Sequence, residues 1–195
     1  MFMRFDAPTV RRARPADAGD IARLVDIAGE GLPSHFWAGM AEPGEPPQAV
    51  GVRRIAGGEG VFSWRNVFVA EIGDRVVGAL VTYRIGPEPR PLETLPPVFR
   101  PLQALENEAP GTHYVNVLAT YPEFRRRGVA SRLLAEAERQ GLGARGLSLI
   151  VADVNMAARR LYEAWGFAEA ARSAMVKDGW EGTGREWVLM VKPAG

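Results

Sequence analysis

The chain has 195 residues, 47% of them hydrophobic, which is enough for one domain with its own core. Its formal net charge is +1, so no overall charge drives it toward nucleic acid or an acidic membrane. It has no cysteine and only two histidines, which excludes disulfides, thiolate metal ligands and a cysteine nucleophile and disfavours a histidine-based metal site.

No stretch of the chain approaches the ~20 apolar residues of a membrane helix. Residues 1–15 carry arginines without an apolar core, so we expect no secretory signal there. We therefore expect a cytoplasmic protein with a single domain over residues 1–195. Neither nucleic acid nor a membrane is expected as a partner, and a homodimer is left open.

Periodicity and turn residues predict the elements of the first half of the chain. They are a strand at Thr9–Arg14, a helix from Pro15 that ends at Gly29 and Gly31, a short helix after residue 33, irregular chain or a second helix near 47–56, and two antiparallel strands at 67–72 and 75–84 joined by Gly73-Asp74.

Residues 85–112 contain seven prolines, and a strand pattern resumes at His113. We interpret this Pro-rich segment as an insertion between strands, with one short helix around 98–107. An ordered loop of this length in a compact domain is usually functional.

The second half predicts strands at 114–119, 147–151, 168–176 and 185–192, with helices after Gly128 and over 155–165. Strands alternate with helices only in this half. The order therefore favours an α/β (mixed α+β) fold in which a mixed sheet carries helices on both faces.

The stretch 116–134 is the most informative part of the sequence. A strand and a turn at Pro122 lead into clustered arginines that close on Gly128 and run into a helix. Consecutive N–H groups between Arg125 and Ala130 would lie at the positive end of the helix dipole, where Gly128 lets a ligand approach the backbone. This arrangement suits a pyrophosphate bound by main chain, whereas the simpler interpretation is a basic surface loop that caps a helix.

A second motif, NMAARRLYEAWGF, covers residues 155–167. Asn155 can cap a helix that ends at Gly166, and Tyr162 falls on its apolar face. Tyr162 is therefore either a core aromatic or a proton donor. A phenol with a pKa of about 10 is protonated at neutral pH and could protonate a departing thiolate of pKa near ~8.5.

Together these motifs resemble those of the GNAT acetyltransferase superfamily. Its signature Arg/Gln-x-x-Gly-x-Gly/Ala, after a strand and an x-Pro turn, is matched by Arg125, Gly128 and Ala130. Its second signature, Asn followed by Leu-Tyr-Glu-x-x-Gly-Phe, is matched by Asn155 and residues 161–167. The chain departs from the commoner pattern in its Arg126-Arg127 pair and in Ala130, where Gly is most frequent.

The resemblance implies the acyl-CoA N-acyltransferase fold, with a mostly antiparallel, twisted sheet of about seven strands splayed at the cofactor site. Acetyl-CoA would be the acyl donor, and no metal would be needed. The strand edge would bond the pantetheine amides, and the loop amides would hold the pyrophosphate. The residues so assigned to the cofactor are Leu118, Ala119, Thr120, Arg125, Arg126, Arg127, Gly128, Val129, Ala130, Ser131, Asn155 and Tyr162.

The resemblance also implies direct attack by an amine in a ternary complex, since the chain has no cysteine nucleophile, with Tyr162 beside the thiol. Glu106, Glu108, His113 and a water chain are candidates for the general base, although the two glutamates could also form a solvated acidic turn. Asn116 could orient the acceptor or a water.

We therefore predict an N-acetyltransferase that acts on a primary amine, with a small molecule favoured as acceptor. Transfer to a protein N-terminus or lysine is the alternative, which an open acidic groove beside residues 85–112 would favour. A non-catalytic acyl-CoA-binding sensor is the alternative of another class, and Tyr162 argues against it.

Overall fold

The computed structural model describes residues 7–58 and 60–195. Residues 1–6 begin the segment in which we expect no secretory signal, and they lie outside the described residues. Within the described chain, no helix is long and apolar enough to cross a membrane.

The described strands, in chain order, are β1 (Thr9–Arg12), β2 (Val67–Ile72), β3 (Arg75–Arg84), β4 (His113–Thr120), β5 (Gly146–Ala152), β6 (Ala168–Ala174) and β7 (Glu186–Pro193). The α-helices are α1 (Ala18–Ala28), α2 (Leu32–Ala38), α3 (Pro47–Gly57), α4 (Arg100–Asn107), α5 (Val129–Gln140) and α6 (Met156–Ala164).

The strands form one seven-stranded sheet in the order β1-β2-β3-β4-β5-β7-β6. β4 pairs in parallel with β5, whereas the pairs β1/β2, β2/β3, β5/β7 and β6/β7 are antiparallel. The predicted mixed, mostly antiparallel sheet is thus confirmed.

The residues group into two compact units, each discontinuous in sequence. Unit 1 comprises the described residues up to Thr82 together with Val117–Ala137. Unit 2 comprises Tyr83–Asn116 and Glu138–Gly195. The single domain expected over the whole chain stays a prediction.

Unit 1 has a continuous apolar core to which both helices and strands contribute buried side chains. Ile21, Leu24 and Val25 on α1 are fully buried and belong to one cluster with Val67 and Val69 of β2. Burial of such side chains contributes about 1.5–3 kcal/mol each. Because α1 must bury one face, its apolar residues recur at helical spacing, and this pattern predicts the helix from the sequence.

Gly78 of β3 allows a close approach between layers of unit 1. A Cβ added at this position would lie 2.8 Å from the Ala119 carbonyl oxygen and 2.8 Å from Val129 Cγ1. Because a glycine stands here, the first residue of α5 packs directly against the strands. The start of α5 is therefore fixed relative to the end of β4.

The base of the Pro-rich segment in unit 2 is closed by hydrogen bonds. The Ile85 N–H donates to the Thr112 carbonyl at 2.9 Å, and the Gly111 N–H donates to the Ile85 carbonyl at 3.2 Å. The buried Thr112 hydroxyl lies 2.7 Å from the Ser148 hydroxyl on β5. The segment is therefore an ordered insertion between β3 and β4. The helix predicted around 98–107 corresponds to α4.

The predicted elements are found, with small differences at their ends. β1 stops at Arg12, two residues earlier than predicted. The Ala13 N–H still donates to the Val67 carbonyl, but Pro15 begins a short 3₁₀ turn and lacks the N–H that would continue the strand.

Candidate functional site

The arginine-rich loop of unit 1 is anchored by an aromatic side chain. Phe124 closes the 3₁₀ turn Pro122–Phe124 and is buried, while the residues from Arg125 to Gly128 are exposed. The guanidinium carbons of Arg75 and Arg127 lie 5.0 and 5.3 Å from the centre of the Phe124 ring, which is cation–π geometry. The exposed loop is thus anchored by the buried Phe124 side chain.

The backbone of this loop enters the left-handed conformation at alternate residues. Arg126 and Gly128 have φ of 62° and 77°, while Arg127 between them does not lie in the left-handed region. Such alternation turns successive N–H groups toward one side and makes a concave anion site. A Cβ built on Gly128 would meet no atom within 4 Å, so the space in front of it is open.

The amides of α5 extend this series. The Arg132 N–H makes an α-helical bond to the Gly128 carbonyl at 3.1 Å. The N–H groups of residues 129–131 precede it and, as in any first helical turn, have no intrahelical acceptor. The Arg125 N–H donates to the Pro122 carbonyl at 3.3 Å, so the run of N–H groups begins at Arg126 and not at Arg125.

The end of β4 leads directly into this loop. Ala119 is buried, and Leu118 and Thr120 are partly buried. The Thr120 hydroxyl oxygen is buried and has no hydrogen-bond partner within the described residues. Tyr121 fixes the following turn: its N–H donates to the Val77 carbonyl at 3.0 Å, and its hydroxyl donates to Asp20 Oδ1 at 2.7 Å.

The second motif lies on α6 in unit 2. The Asn155 side chain accepts a hydrogen bond from the Ala158 N–H at 3.2 Å, which confirms it as the helix N-cap. Tyr162 is buried, and its ring centre lies 5.9 Å from that of Phe167. Burial raises the pKa of Tyr162 to about 12, so the phenol stays protonated at neutral pH.

The Tyr162 ring therefore has the core position that its helical spacing predicted. Among the described residues, its hydroxyl has no hydrogen-bond partner, and desolvation is the cause of its raised pKa. A buried phenol normally has such a partner. The ring is thus held by packing, while its hydroxyl makes no hydrogen bond within the described residues.

Glu106 and Asn116, two candidates from the sequence, meet through a residue that sequence reasoning missed. Asn116 Nδ2 donates to the Tyr83 hydroxyl at 3.0 Å, and that hydroxyl in turn donates to Glu106 Oε2 at 3.3 Å. The Tyr114 ring packs edge-on against Tyr83 at 5.4 Å. Tyr83 is simply the ninth residue of β3, and no local motif marks it.

Burial sets the electrostatics of this cluster. It raises the pKa of the Glu106 carboxyl, while the Arg90 charge and the Tyr83 hydrogen bond oppose that rise. Burial and the nearby Glu106 charge also raise the pKa of Tyr83. A carboxyl group with a raised pKa takes up a proton more readily than an exposed one, which is the property a general base needs.

The other two candidates for the base lie outside this hydrogen-bonded cluster. Glu108 is exposed just after α4, as a solvated acidic residue would be. His113 Nε2 is buried and finds no hydrogen-bond partner in the part of the chain that the structure describes. Burial, together with the Arg84 charge, lowers the pKa of that imidazole. Of the three side chains, only Glu106 combines burial with a hydrogen-bonded carboxylate.

Over residues 7–58 and 60–195, no group of three or more His, Asp or Glu side chains is arranged to hold a metal ion.

Several solved structures share the fold of this chain. An N-acetyltransferase from Staphylococcus aureus Mu50 superposes with a TM-score of 0.65 at 20% identity, covering 94% of this chain and 99% of that one. An acetyltransferase from Thermus thermophilus gives 0.59 at 18% identity and covers 98% and 100%. A GNAT family acetyltransferase from Bacillus cereus ATCC 10987 gives 0.57 at 14% identity and covers 96% and 98%.

No curated protein sequence matches the chain. The model of the acetyltransferase (GNAT) family, by contrast, matches residues 41–167, well over half of the chain. The match includes β2 to β5, the arginine-rich loop and the whole of α6. By its sequence and its fold, the chain belongs to the GNAT acetyltransferase family.

Proposed function

We propose that this acetyltransferase moves an acetyl group from acetyl-CoA to a primary amine by direct attack, with a small molecule as the preferred acceptor. Membership of the family makes the chain an acyltransferase, so the sensor interpretation is not carried further. The observation that carries the proposal is the loop from Arg126 to Gly128, whose alternating backbone precedes the open first turn of α5.

The amides of residues 126–131 would bind the pyrophosphate of acetyl-CoA. Both the alternating backbone conformation and the helix N-terminus direct N–H groups toward an anion. Such binding needs neither a lysine nor a metal. The arginine side chains of the loop would add charge at its rim, where salt screens them. Main-chain donors would therefore supply most of the recognition.

The pantetheine arm would pair with the main chain of Leu118–Thr120 as an added strand, with the buried Thr120 hydroxyl as one further polar partner. Asn155 would contact the same arm. Its capping bond to Ala158 uses only the Oδ1 atom, so the Nδ2 group would serve as the donor to a pantetheine carbonyl.

In the chemical step, the amine nitrogen would form a bond to the thioester carbon, and the carbon–sulfur bond would break. Tyr162 would protonate the departing thiolate, and Glu106 would accept the proton that the amine loses. Glu106 is preferred to Glu108 and His113 because it alone is both buried and oriented by a hydrogen bond. Asn116 would act on Glu106 through Tyr83.

The burial of Glu106 also supports a compact acceptor. The carboxyl group lies on α4 within the closed insertion, which would form one wall of the acceptor site. A small amine can enter a site with a buried base more readily than a folded protein surface can. Transfer to a lysine or N-terminus of a protein remains the second candidate.

Two measurements test this function. Calorimetry with acetyl-CoA should give saturable binding, and release of free CoA should be stimulated by small primary amines more than by peptides with a free N-terminus or lysine. Stimulation by peptides alone would reverse the acceptor preference. A folded protein that binds no acetyl-CoA would overturn the proposal.

A further inference from the structure

Arg90 in the insertion is held more firmly than an exposed arginine needs to be. It lies between Pro89 and Pro91, whose rings restrict the backbone on both sides. Asn107 at the end of α4 binds both of its peptide groups: Oδ1 accepts from the Arg90 N–H at 2.9 Å, and Nδ2 donates to the Arg90 carbonyl at 2.8 Å.

Asn107 is itself oriented, because Gln103 Nε2 donates to its Oδ1 at 3.2 Å one helical turn earlier. The backbone of residue 90 is thus tied to α4, the helix that carries Glu106. A loop built only to join two strands would not need a side chain that binds both peptide groups of one residue.

The Arg90 guanidinium, in contrast to its backbone, is exposed and makes neither a hydrogen bond nor an ion pair among the described residues. Arg100 in the same insertion is different, since its guanidinium donates to the Leu95 and Glu93 carbonyls. The Arg90 charge opposes the rise that burial causes in the pKa of Glu106, yet the two side chains form no ion pair among the described residues.

The insertion therefore carries two groups of opposite charge, the Glu106 carboxylate on α4 and the guanidinium of Arg90, whose backbone is tied to the same helix. Glu106 accepts the Tyr83 hydrogen bond on its Oε2 atom. Its other carboxylate oxygen can accept a hydrogen bond from an ammonium group. A guanidinium presents a fork of donors that matches a carboxylate or a phosphate.

We infer that the acceptor is an amine that also carries an anionic group, such as an amino acid, whose ammonium meets Glu106 and whose anion meets Arg90. This inference rests on the proposed function and names the substrate class of the same site. Arg90 is a specificity-determining residue here, while Asn107 and Gln103 position it.

The test compares amines that differ only in the anionic group: an amino acid, its amide and the amine left after removal of the carboxylate. CoA release is measured with each acceptor for the unaltered protein, Arg90→Ala and Arg100→Ala. Arg100→Ala removes the same charge from the same insertion and is the matched control. Binding of each acceptor in the presence of CoA is measured by calorimetry as a readout that needs no turnover.

The unaltered protein should prefer the amino acid over its amide. Arg90→Ala should lower kcat/KM for the amino acid roughly 10- to 100-fold, as expected for one charge-assisted contact, and should reduce the preference accordingly. Asn107→Ala, which frees the Arg90 backbone, should reduce the same preference less. Raising the ionic strength should also weaken it.

Equal use of the amino acid and its amide by the unaltered protein would overturn this inference alone, as would equal losses in Arg90→Ala and Arg100→Ala. Absence of CoA release with every amine, despite bound acetyl-CoA, would overturn the proposed function and this inference with it.

Discussion

The arginine-rich loop and the Pro-rich insertion are both ordered loops beside β4, but they are fixed by different means and present different groups. The loop after β4 takes its shape from the left-handed backbone conformations of Arg126 and Gly128, and it exposes main-chain amides. The insertion before β4 is shaped by prolines and by the Asn107 bonds, and it presents the Glu106 and Arg90 side chains.

This difference corresponds to what each loop would recognise. A pyrophosphate can be bound by main chain, which requires only one local backbone shape and a glycine. An acceptor that varies among enzymes of one fold requires particular side chains, which can come from distant positions. The predictions below, from the largest expected effect to the smallest, would break or sharpen this distinction.

The largest effect is expected from Gly128→Glu. A carboxylate placed before the loop amides would block and repel the pyrophosphate, so calorimetry should show no acetyl-CoA binding. Gly143→Glu is the matched control, because Gly143 has a similar φ of 79° and also has nothing within 4 Å of an added Cβ. Unchanged CoA affinity in a folded Gly128→Glu variant would remove the loop from the cofactor site.

Tyr162→Phe should lower kcat by roughly 10²–10⁴, the usual contribution of one proton-transfer group. The ring and its contact with Phe167 are kept, so the melting temperature should barely change. Turnover is measured by CoA release with the best acceptor. Equal kcat in the two proteins would show that Tyr162 is a core residue only.

Glu106→Gln should lower kcat/KM by about 10², since the substitution keeps the shape of the side chain and removes its basicity. Glu108→Gln, at the exposed residue two positions later, should change it little. The loss in Glu106→Gln should shrink at high pH, where more of the amine is already neutral. Equal effects of the two substitutions would remove Glu106 as the general base.

The smallest effect concerns stability and His113. Burial favours the neutral imidazole, so its folded pKa lies below the unfolded value of about 6.5. The stability this provides is complete above the unfolded pKa and is lost as the pH falls below it.

His113→Gln should therefore reduce the fall in melting temperature between pH 7.5 and pH 5 slightly. His35→Gln, at the exposed second histidine, is the matched control. Identical pH dependence in His113→Gln and the unaltered protein would contradict the assigned direction.

Sequence reasoning reached most of the fold because the elements carry local signals. The spacing of Ile21, Leu24 and Val25 marks α1, and Gly128 marks the start of α5. The end of β1 was less well predicted, since Ala13 still makes a strand-like bond after pairing has ended.

The candidate site was only partly predictable for the same physical reason. The amides after Arg126 follow from one contiguous motif, whereas the Tyr83–Glu106–Asn116 cluster joins three separate segments. Glu106 and Asn116 were candidates because they lie near β4 in sequence. Tyr83 and Asn107 make their contacts only in the folded chain, and no spacing predicts them.

The left-handed conformation of Arg126 has a thermodynamic consequence. A residue with a Cβ is destabilised there by roughly 1–2 kcal/mol, a cost that folding bears whether or not a ligand is present. We expect the loop to be preorganised, so that its conformational entropy is lost during folding and little remains to be lost on association. Affinity for the pyrophosphate would then depend on how rigid the empty loop already is, and a substitution that relaxes Arg126 could increase stability while it weakens binding.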